Sequence, residues 1–344
     1  MKLCLLGDTH FCYKNSFNQY YQKFYSNIFF PYLEKNNIQT VLQCGDFFDN
    51  RVKLDIVGLE FVNNEFLTNF LYERELITLL GNHDIVKRNT LKHNSPQVAI
   101  DSEYKVEIVK HPTEFENILI IPWICEENSA EIFAAIENTN CKYLAAHLEL
   151  AQFPMNKGHI MEHGMDAALF KKFDIVFSGH YHSPSQYLNG SNVVYLGTPY
   201  EMTFSDCDDQ KYFYIFDTET GEFESIPNPY KMFHKIVYKD GSDYDLGIVE
   251  GCIVKVIVES KSDQMKYDVW LKELSEMNPM ELKVVENFEQ FGDEKIDVDN
   301  IDISDTLSLL SKYVEETSQD IDKDYMKNIL NELYSDAIKL EYGE

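Results

Sequence analysis

Five times along the chain a short apolar run stops abruptly at glycine or at polar side chains able to bind metal. Leu3 to Leu6 leads into Gly7, Asp8, Thr9 and His10, and the stretch from Val41 leads into Gly45 and Asp46. Leu76 to Leu80 leads into Gly81, Asn82, His83 and Asp84, and Tyr143 to Ala146 into His147. Ile175 to Phe177 leads into Ser178, Gly179, His180, Tyr181 and His182. A strand covered on both faces reads as a continuous apolar run, and ligands in open α/β sheets sit beyond the carboxyl ends of such strands. The pattern predicts five buried strand ends that deliver carboxylate, imidazole and amide groups to one place.

Between these runs the period changes from strand to helix. Phe17, Tyr20, Tyr21, Phe24, Tyr25, Ile28, Phe29, Tyr32 and Leu33 recur at spacings of three and four, as do Ile56, Leu59, Val62, Phe66, Leu67 and Phe70. Both helices are expected to cover a sheet, and their apolar faces are broad enough to offer a homodimer seam through Phe24 and Phe29 as well. Strands are predicted near Lys105 to Val109, Ile118 to Trp123, Val193 to Leu196 and Tyr212 to Phe216. Short helices are predicted from Ser129 to Asn138, capped by Ser129, and near Met165 to Phe173. The fold class expected is α/β, a two-sheet sandwich flanked by helices.

The prolines and asparagine of IPNPY, residues 226 to 230, mark a boundary, so residues 1–228 form the large domain. Residues 229–288 are expected to form a small α+β domain: Cys252 to Val258, a helix from Asp263 to Met277, then Met280 to Val285. Residues 286 to 305 hold eight acids against one lysine, and 289–303 reads as a solvated linker. Two amphipathic helices, near Ser304 to Glu316 and Asp322 to Leu340, are expected to close the chain. At 344 residues, a large domain with smaller additions is in proportion.

Charge changes the picture. A formal charge of −28, from 58 acidic and 30 basic residues, repels polyanions, so any nucleic-acid activity needs metal ions or a basic partner to supply attraction locally. Seven scattered cysteines with no CxxC pair read as the reduced thiols of a cytosolic protein. Asp8 interrupts the first apolar run too early for a signal peptide, and no apolar window approaches the ~20 residues of a membrane span. The chain is expected to be soluble and cytoplasmic, with no membrane partner.

Asp8, His10, Asp46, Asn82, His147, His180 and His182 can supply a two-metal site, with one carboxylate shared between ions about 3.5–4 Å apart. Imidazole and carboxylate donors without thiolate suit Mn²⁺, Fe or Zn²⁺ more than Mg²⁺ or Ca²⁺. His83, beside Asn82 and left over from ligation, is the candidate catalytic residue, placed to protonate a leaving oxygen or stabilise the transition state. Asp84 is a candidate to orient that imidazole. His93, His111, His159, His163 and His234 fall outside the motifs and read as ordinary. No segment offers a Ser/His/Asp triad or a glycine-rich phosphate loop.

The ordered series GDTH, GDFFD, GNHD, His147 and GHYH resembles the signature of calcineurin-like metallophosphoesterases over residues 1 to about 200. GNHD, IPW and LGTPY look like the SbcD-type DNA repair nucleases. IPWICEEN, SGHYH, YLGTP and FDTET are most similar to the recombination endonuclease subunits of T-even-like bacteriophages. The resemblance implies a Mn²⁺-dependent DNA exo/endonuclease holding two Mn²⁺, with Mg²⁺, Fe or Zn²⁺ as alternatives. It implies a small capping domain, a homodimer and a C-terminal helical pair that grips an SbcC-type coiled-coil ATPase, in the host cytoplasm if the chain is phage-encoded. By the same resemblance Asp8, His10 and His182 hold one ion, Asn82, His147 and His180 the other, and Asp46 bridges. Cellular members often carry a histidine where this chain has Asp49. Arg51, Lys53, Lys87, Arg88 and Lys92 are candidate phosphate contacts. The alternatives are a calcineurin-like phosphatase or small-nucleotide phosphodiesterase, whose protein-phosphatase members carry GNHE and GDxxDRG, and a scaffold subunit with an inert site.

Overall fold

A computed structural model describes residues 1–70, 74–156, 159–241 and 243–286. Four parallel neighbours make the body of the first sheet: β1 (Lys2–Leu6), β2 (Thr40–Gln43), β3 (Glu75–Leu79) and β4 (Val106–Val109). The second sheet takes β5 (Thr113–Phe115), β6 (Ile118–Ile120) and β7 (Tyr143–His147). After a separate hairpin of β8 (Pro154–Asn156) and β9 (His159–Ile160), it adds β10 (Ile175–Gly179), β11 (Ser185–Gln186) and β12 (Val193–Tyr195). Its spatial order is β11-β12-β10-β7-β6-β5, with β6, β7, β10 and β12 parallel and an antiparallel strand at each edge. The chain then returns to the first sheet, where β13 (Tyr212–Asp217) pairs antiparallel with β1 and β14 (Phe223–Pro227) lies outside it.

Alternation along the strands sorts the core into layers. Leu3, Leu5, Leu42, Ile77 and Leu79 of the first sheet meet Ile118, Ile120, Ala145, Ile175 and Phe177 of the second. The intervening residues point the other way: Cys4, Leu6, Val41 and Leu76 into an aromatic layer, Leu119, Leu144, Ala146 and Val176 into the opposite one. Both faces of each strand are therefore dry, which is why these strands read as unbroken apolar runs.

The aromatic layer is formed by α1 (residues 18–35) and α2 (residues 56–70), each of which widens into π-helical turns midway, at Tyr25–Phe29 and Phe61–Leu67. Phe24 and Phe29 are fully buried there among Tyr25, Phe66, Tyr200 and Phe213. A homodimer seam through these two residues is thus excluded: the broad aromatic face is spent inside the subunit. Apolar side chains that are exposed lie elsewhere, among them Ile56 and Val57 on α2 and Val98 on α3 (Ser95–Ala99). On the opposite side α4 (Ser129–Asn138) buries Ile132 and Ile136. Ser129 is its first residue rather than its cap. The preceding Asn128 instead ties the entry loop, accepting from Cys125 N at 2.8 Å and donating to Trp123 O at 3.0 Å.

A third, all-parallel sheet follows: β15 (Phe233–Tyr238), β16 (Ile253–Val258) and β17 (Glu281–Glu286), with β16 central. Its crossover helix α5 (Gln264–Glu276) is capped by Asp263, which accepts Lys266 N, and buries Tyr267 and Leu274. Buried Glu201 accepts the N–H groups of Met232 and Phe233 at 2.7 and 2.8 Å, tying the start of β15 to the two-sheet body. The expected Met165 to Phe173 helix is a single short turn at Ala167–Phe170. No helix among the described residues is long and apolar enough to cross a membrane. The acidic linker at 289–303 and the helical pair at 304–344 lie outside the described residues.

Candidate metal centre

Because β1, β2 and β3 are parallel, as are β7 and β10, the five motifs emerge from the carboxyl ends of their strands. The loops then lace together. Asp46 O accepts from Thr9 N at 3.2 Å and His10 N at 3.0 Å, Phe47 O from Phe11 N at 2.9 Å, and Phe11 O from Asp49 N at 3.0 Å. Three of the candidate ligands sit at positive φ: His10 at 43°, Asp46 at 50° and His180 at 90°. That conformation costs a non-glycine residue about 1–2 kcal/mol and persists only where surrounding contacts over-determine it.

All seven residues read from the sequence as ligands meet here, in two groups, and a third group of His10, Asp49 and His83 adjoins them. Asp8, His10 and His182 turn donor atoms toward one another, as do Asp46, His147 and His180. His10 Nε2 is 3.0 Å from His182 Nε2 and 3.9 Å from Asp8 Oδ2. In the second group Asn82 Oδ1 is 3.0 Å from His147 Nε2 and 2.9 Å from His180 Nδ1. Asp46 Oδ2 stands between the groups, 3.3 Å from His147 Nε2 and 3.9 Å from His10 Nε2, while its other oxygen accepts His83 N at 2.7 Å. Ligands at right angles around an ion with ~2.1 Å bonds are about 3 Å apart, so these spacings suit divalent-cation coordination. The donor set of imidazoles, carboxylates and one amide fits as well.

The electrostatics follow from packing these groups out of water. Burial raises Asp8 to about 7, with repulsion from Asp46 adding to it. Burial also works against ionised Asp46, yet His147 and His83 hold its carboxyl well below the usual range. His10 and His147 rise to about 9: burial opposes this, but Asp49, Asp46 and Asp8 around His10, and Asp46 and Asp8 around His147, outweigh it. Burial and adjoining imidazoles push His182 down to about 3 and His180 well below its ordinary value. Buried carboxylates need positive charge in their midst. Protons on His10 and His147 meet that need in the protein alone, and a cation on the same nitrogens meets it by displacing protons.

The far ring nitrogen of His147 has its own hydrogen-bond partner, which sets its tautomer, while those of His10 and His180 face carboxylates. His147 Nδ1 donates to Cys44 O at 2.9 Å, leaving Nε2 for the centre, and His10 Nδ1 faces Asp49 Oδ1 at 3.2 Å. His180 Nε2 faces Glu149 at 3.8 Å, and the Trp123 ring packs against His147 and His180. His83 lies beside the cluster, its ring edge-on to His10 at 5.1 Å and its Nδ1 donating to Asp49 O at 2.5 Å. That carbonyl, not Asp84, orients His83. Asp84 is fully buried and instead accepts three backbone N–H groups, from Phe47, Phe48 and Gly81, clamping two motif loops together. Leaving one such buried donor without an acceptor costs about 1–3 kcal/mol.

Sequence reasoning missed Glu149, Cys44 O and the part played by Asp49. Only Asp49 carried a signal, as the last residue of a motif already singled out. His111 pairs with Glu131 at the surface, away from the centre.

Residues 1–184 match the family described as calcineurin-like phosphoesterase. Exonuclease subunit 1 of Enterobacteria phage T4 is 30% identical over 313 residues, which cover 89% of this chain and 90% of that protein. A solved structure of a novel archaeal phosphodiesterase aligns at 13% identity over 66% of this chain and 99% of its own, with a TM-score of 0.34, too slight a likeness to bear on the fold.

Proposed function

Because this chain belongs to the calcineurin-like phosphoesterase family, we propose that it is a Mn²⁺-dependent DNA exo/endonuclease subunit, acting with an SbcC-type coiled-coil ATPase in recombination, replication and double-strand-break processing. The observation that carries the reading is the pair of donor clusters meeting at one oxygen of Asp46. The similarity to a phage exonuclease subunit over nine-tenths of its length supports DNA as the substrate.

In this reading Asp8, His10 and His182 would hold one ion and Asn82, His147 and His180 the other, with Asp46 shared. When bound, such a pair supplies a water of lowered pKa and neutralises charge on the phosphoryl group. The protein's own contribution is to fix the ligands on strand ends and to present His83. With Nδ1–H committed to Asp49 O, His83 keeps Nε2 for the scissile phosphate; burial lowers its pKa, so the neutral ring would take up a second proton at Nε2 as the phosphate's charge arrives and pass it to the leaving oxygen. Lys53, Lys87, Arg88 and Lys92 are exposed beside two of the motifs, available to phosphates within a strongly acidic molecule, and Arg51 is half-buried next to them. The ATPase would supply most of the remaining attraction for DNA, held by the segment 304–344, which lies outside the described residues. The division into a nuclease domain at 1–228 and a capping domain at 229–288 belongs to the same proposal.

The decisive assay incubates the purified chain with Mn²⁺ and double- or single-stranded DNA, with and without a candidate ATPase, beside a generic phosphatase substrate. DNA cleavage stimulated by the ATPase is expected. Turnover of the small phosphoester alone would replace this reading with the phosphatase or small-nucleotide phosphodiesterase one.

A homodimer completes the proposal. Its seam would use Ile56, Val57 and Val98, which are 80%, 50% and 85% exposed. Asn63 of α2 bonds to Ala99 O and Asp101 N and so brings the two helices side by side. A two-fold contact through one self-complementary patch is the commonest oligomeric arrangement. Light scattering should give twice the 40.2 kDa chain mass, falling to one chain in Ile56→Glu. A wild-type chain that is monomeric at micromolar concentration would refute the seam.

A further inference from the structure

Asp49 ends the GDFFD motif and stands where the resembling cellular nucleases often have histidine, so the family's ligand pattern leaves it without a role. In the structure it touches two functional imidazoles by two different routes. Its carboxylate Oδ1 lies 3.2 Å from His10 Nδ1, and its main-chain oxygen accepts from His83 Nδ1 at 2.5 Å. The two nitrogens of His10 point to opposite sides of the ring, Nε2 toward Asp8, Asp46 and His182 and Nδ1 toward Asp49. Asp49 therefore meets His10 on the side of the ring away from Asp8 and His182, in a separate grouping of donor atoms with His10 and His83.

The placement is built rather than incidental. Asp49 N donates to Phe11 O, one residue past His10, and Phe11 and Phe48 form a parallel bridge, so the two loops run in fixed register. His10 is 1% exposed and its backbone is at φ 43°, so its ring has no solvent to turn into and a strained main chain to hold. The Asp49 side chain is about a quarter exposed. A carboxylate with access to water but directed at a buried imidazole has spent desolvation and side-chain entropy on that contact.

We propose that Asp49 is a positioning residue: its carboxylate holds His10 with Nε2 facing the Asp8/His182 cluster, while its carbonyl separately holds His83. A histidine ligand whose far N–H is bonded to a carboxylate is fixed in tautomer and orientation and made more basic, and loss of such a partner typically weakens metal binding 10- to 100-fold. The division of labour between side chain and main chain makes the two functions separable. Substitution of the Asp49 side chain acts on one of the two ions and leaves the support of His83 in place.

The inference rests on the two-ion reading, and the test distinguishes the two. Mn²⁺ is titrated calorimetrically into the full chain, wild type beside Asp49→Asn and Asp49→Ala, with near-ultraviolet circular dichroism to check folding. Two ions are expected for wild type. In Asp49→Ala one should bind about 10- to 100-fold more weakly and the other as before. Asp49→Asn, which keeps an acceptor but loses the charge, should lie between them. Electron paramagnetic resonance at limiting Mn²⁺ should show the coupled-pair signal of wild type giving way to a single-ion spectrum in Asp49→Ala. Wild-type binding of two ions, with both variants matching it in affinity and spectrum, would overturn the role of Asp49 and leave the two-ion reading intact. A folded wild-type chain that takes up no ion pair would overturn the two-ion reading itself. Should Asp49→Ala fail to fold, the near-isosteric Asp49→Asn decides, since a purely structural carboxylate would alter its melting without altering the affinity of one ion.

Discussion

Replacing His83 with alanine is expected to lower DNA cleavage by about 10²- to 10⁴-fold, the range a positioned proton donor contributes, with Mn²⁺ content and thermal melting unchanged. The separation follows from geometry. His83 stands outside the Asp8/His10/His182 and Asp46/His147/His180 groups, in a third group with His10 and Asp49, where its Nδ1 is taken up by Asp49 O. The bond that the rest of the site takes from it comes from its backbone, His83 N to Asp46 Oδ1, and alanine keeps that bond. Single-turnover cleavage measured beside metal analysis checks the expectation. A variant that cleaves like wild type would remove His83 from the chemistry, and one that loses both ions would make it a metal-organising residue instead.

Gly81→Ala is expected to do the opposite, abolishing cleavage by dismantling the centre. A Cβ at Gly81 would fall inside contact distance of Asp46 Oδ1 and of Asp46 N. Neither atom has room to withdraw. Asp46 is 2% exposed, its carbonyl is bonded by Thr9 and His10, and its backbone already sits at positive φ. The substitution therefore displaces the carboxylate shared by both clusters, and overpacking of this kind costs about 1–3 kcal/mol of stability. Calorimetric titration with Mn²⁺ should show loss of the ion pair, and chemical denaturation should show an earlier midpoint. Gly247→Ala, whose nearest new neighbour is Asp245 Oδ1 at 3.3 Å on the surface, serves as the control. Full metal binding in Gly81→Ala would mean that Asp46 is not held where the structure has it.

Several features were legible before any coordinates. The strands that carry ligands are dry on both faces, so their sequences had to be apolar throughout, and their ends had to break into glycine and polar residues. That contrast located Asp8, Asp46, Asn82, His147 and His180 together with their neighbours His10, His83 and His182. Other features were not legible because the same pattern serves two ends. The aromatic face of α1 satisfies a core and a subunit seam equally well, and only the position of α2, Tyr200 and Phe213 over Phe24 and Phe29 decides for the core. Asp84 next to His83 suggested a dyad, yet residues adjacent on a loop point apart, and Asp84 turned inward to three backbone donors. β15 escaped notice because half its positions face outward, so its apolar signal is diluted.

The sequence by itself determined the α/β class, the family and the inventory of donors, since each depends on short segments whose burial or chemistry is local. Tertiary structure alone decided which donors face one another, that Asp46 offers a single oxygen to both groups, and that Asp49 backs His10 with its side chain and His83 with its main chain. Those facts depend on the register between strands that are far apart in the chain, Cys4 beside Val41 and Tyr143 beside Ile175, and on the left-handed backbone at His10, Asp46 and His180. Such a conformation has no local preference to announce it, and it exists here only because the surrounding loops are bonded to one another.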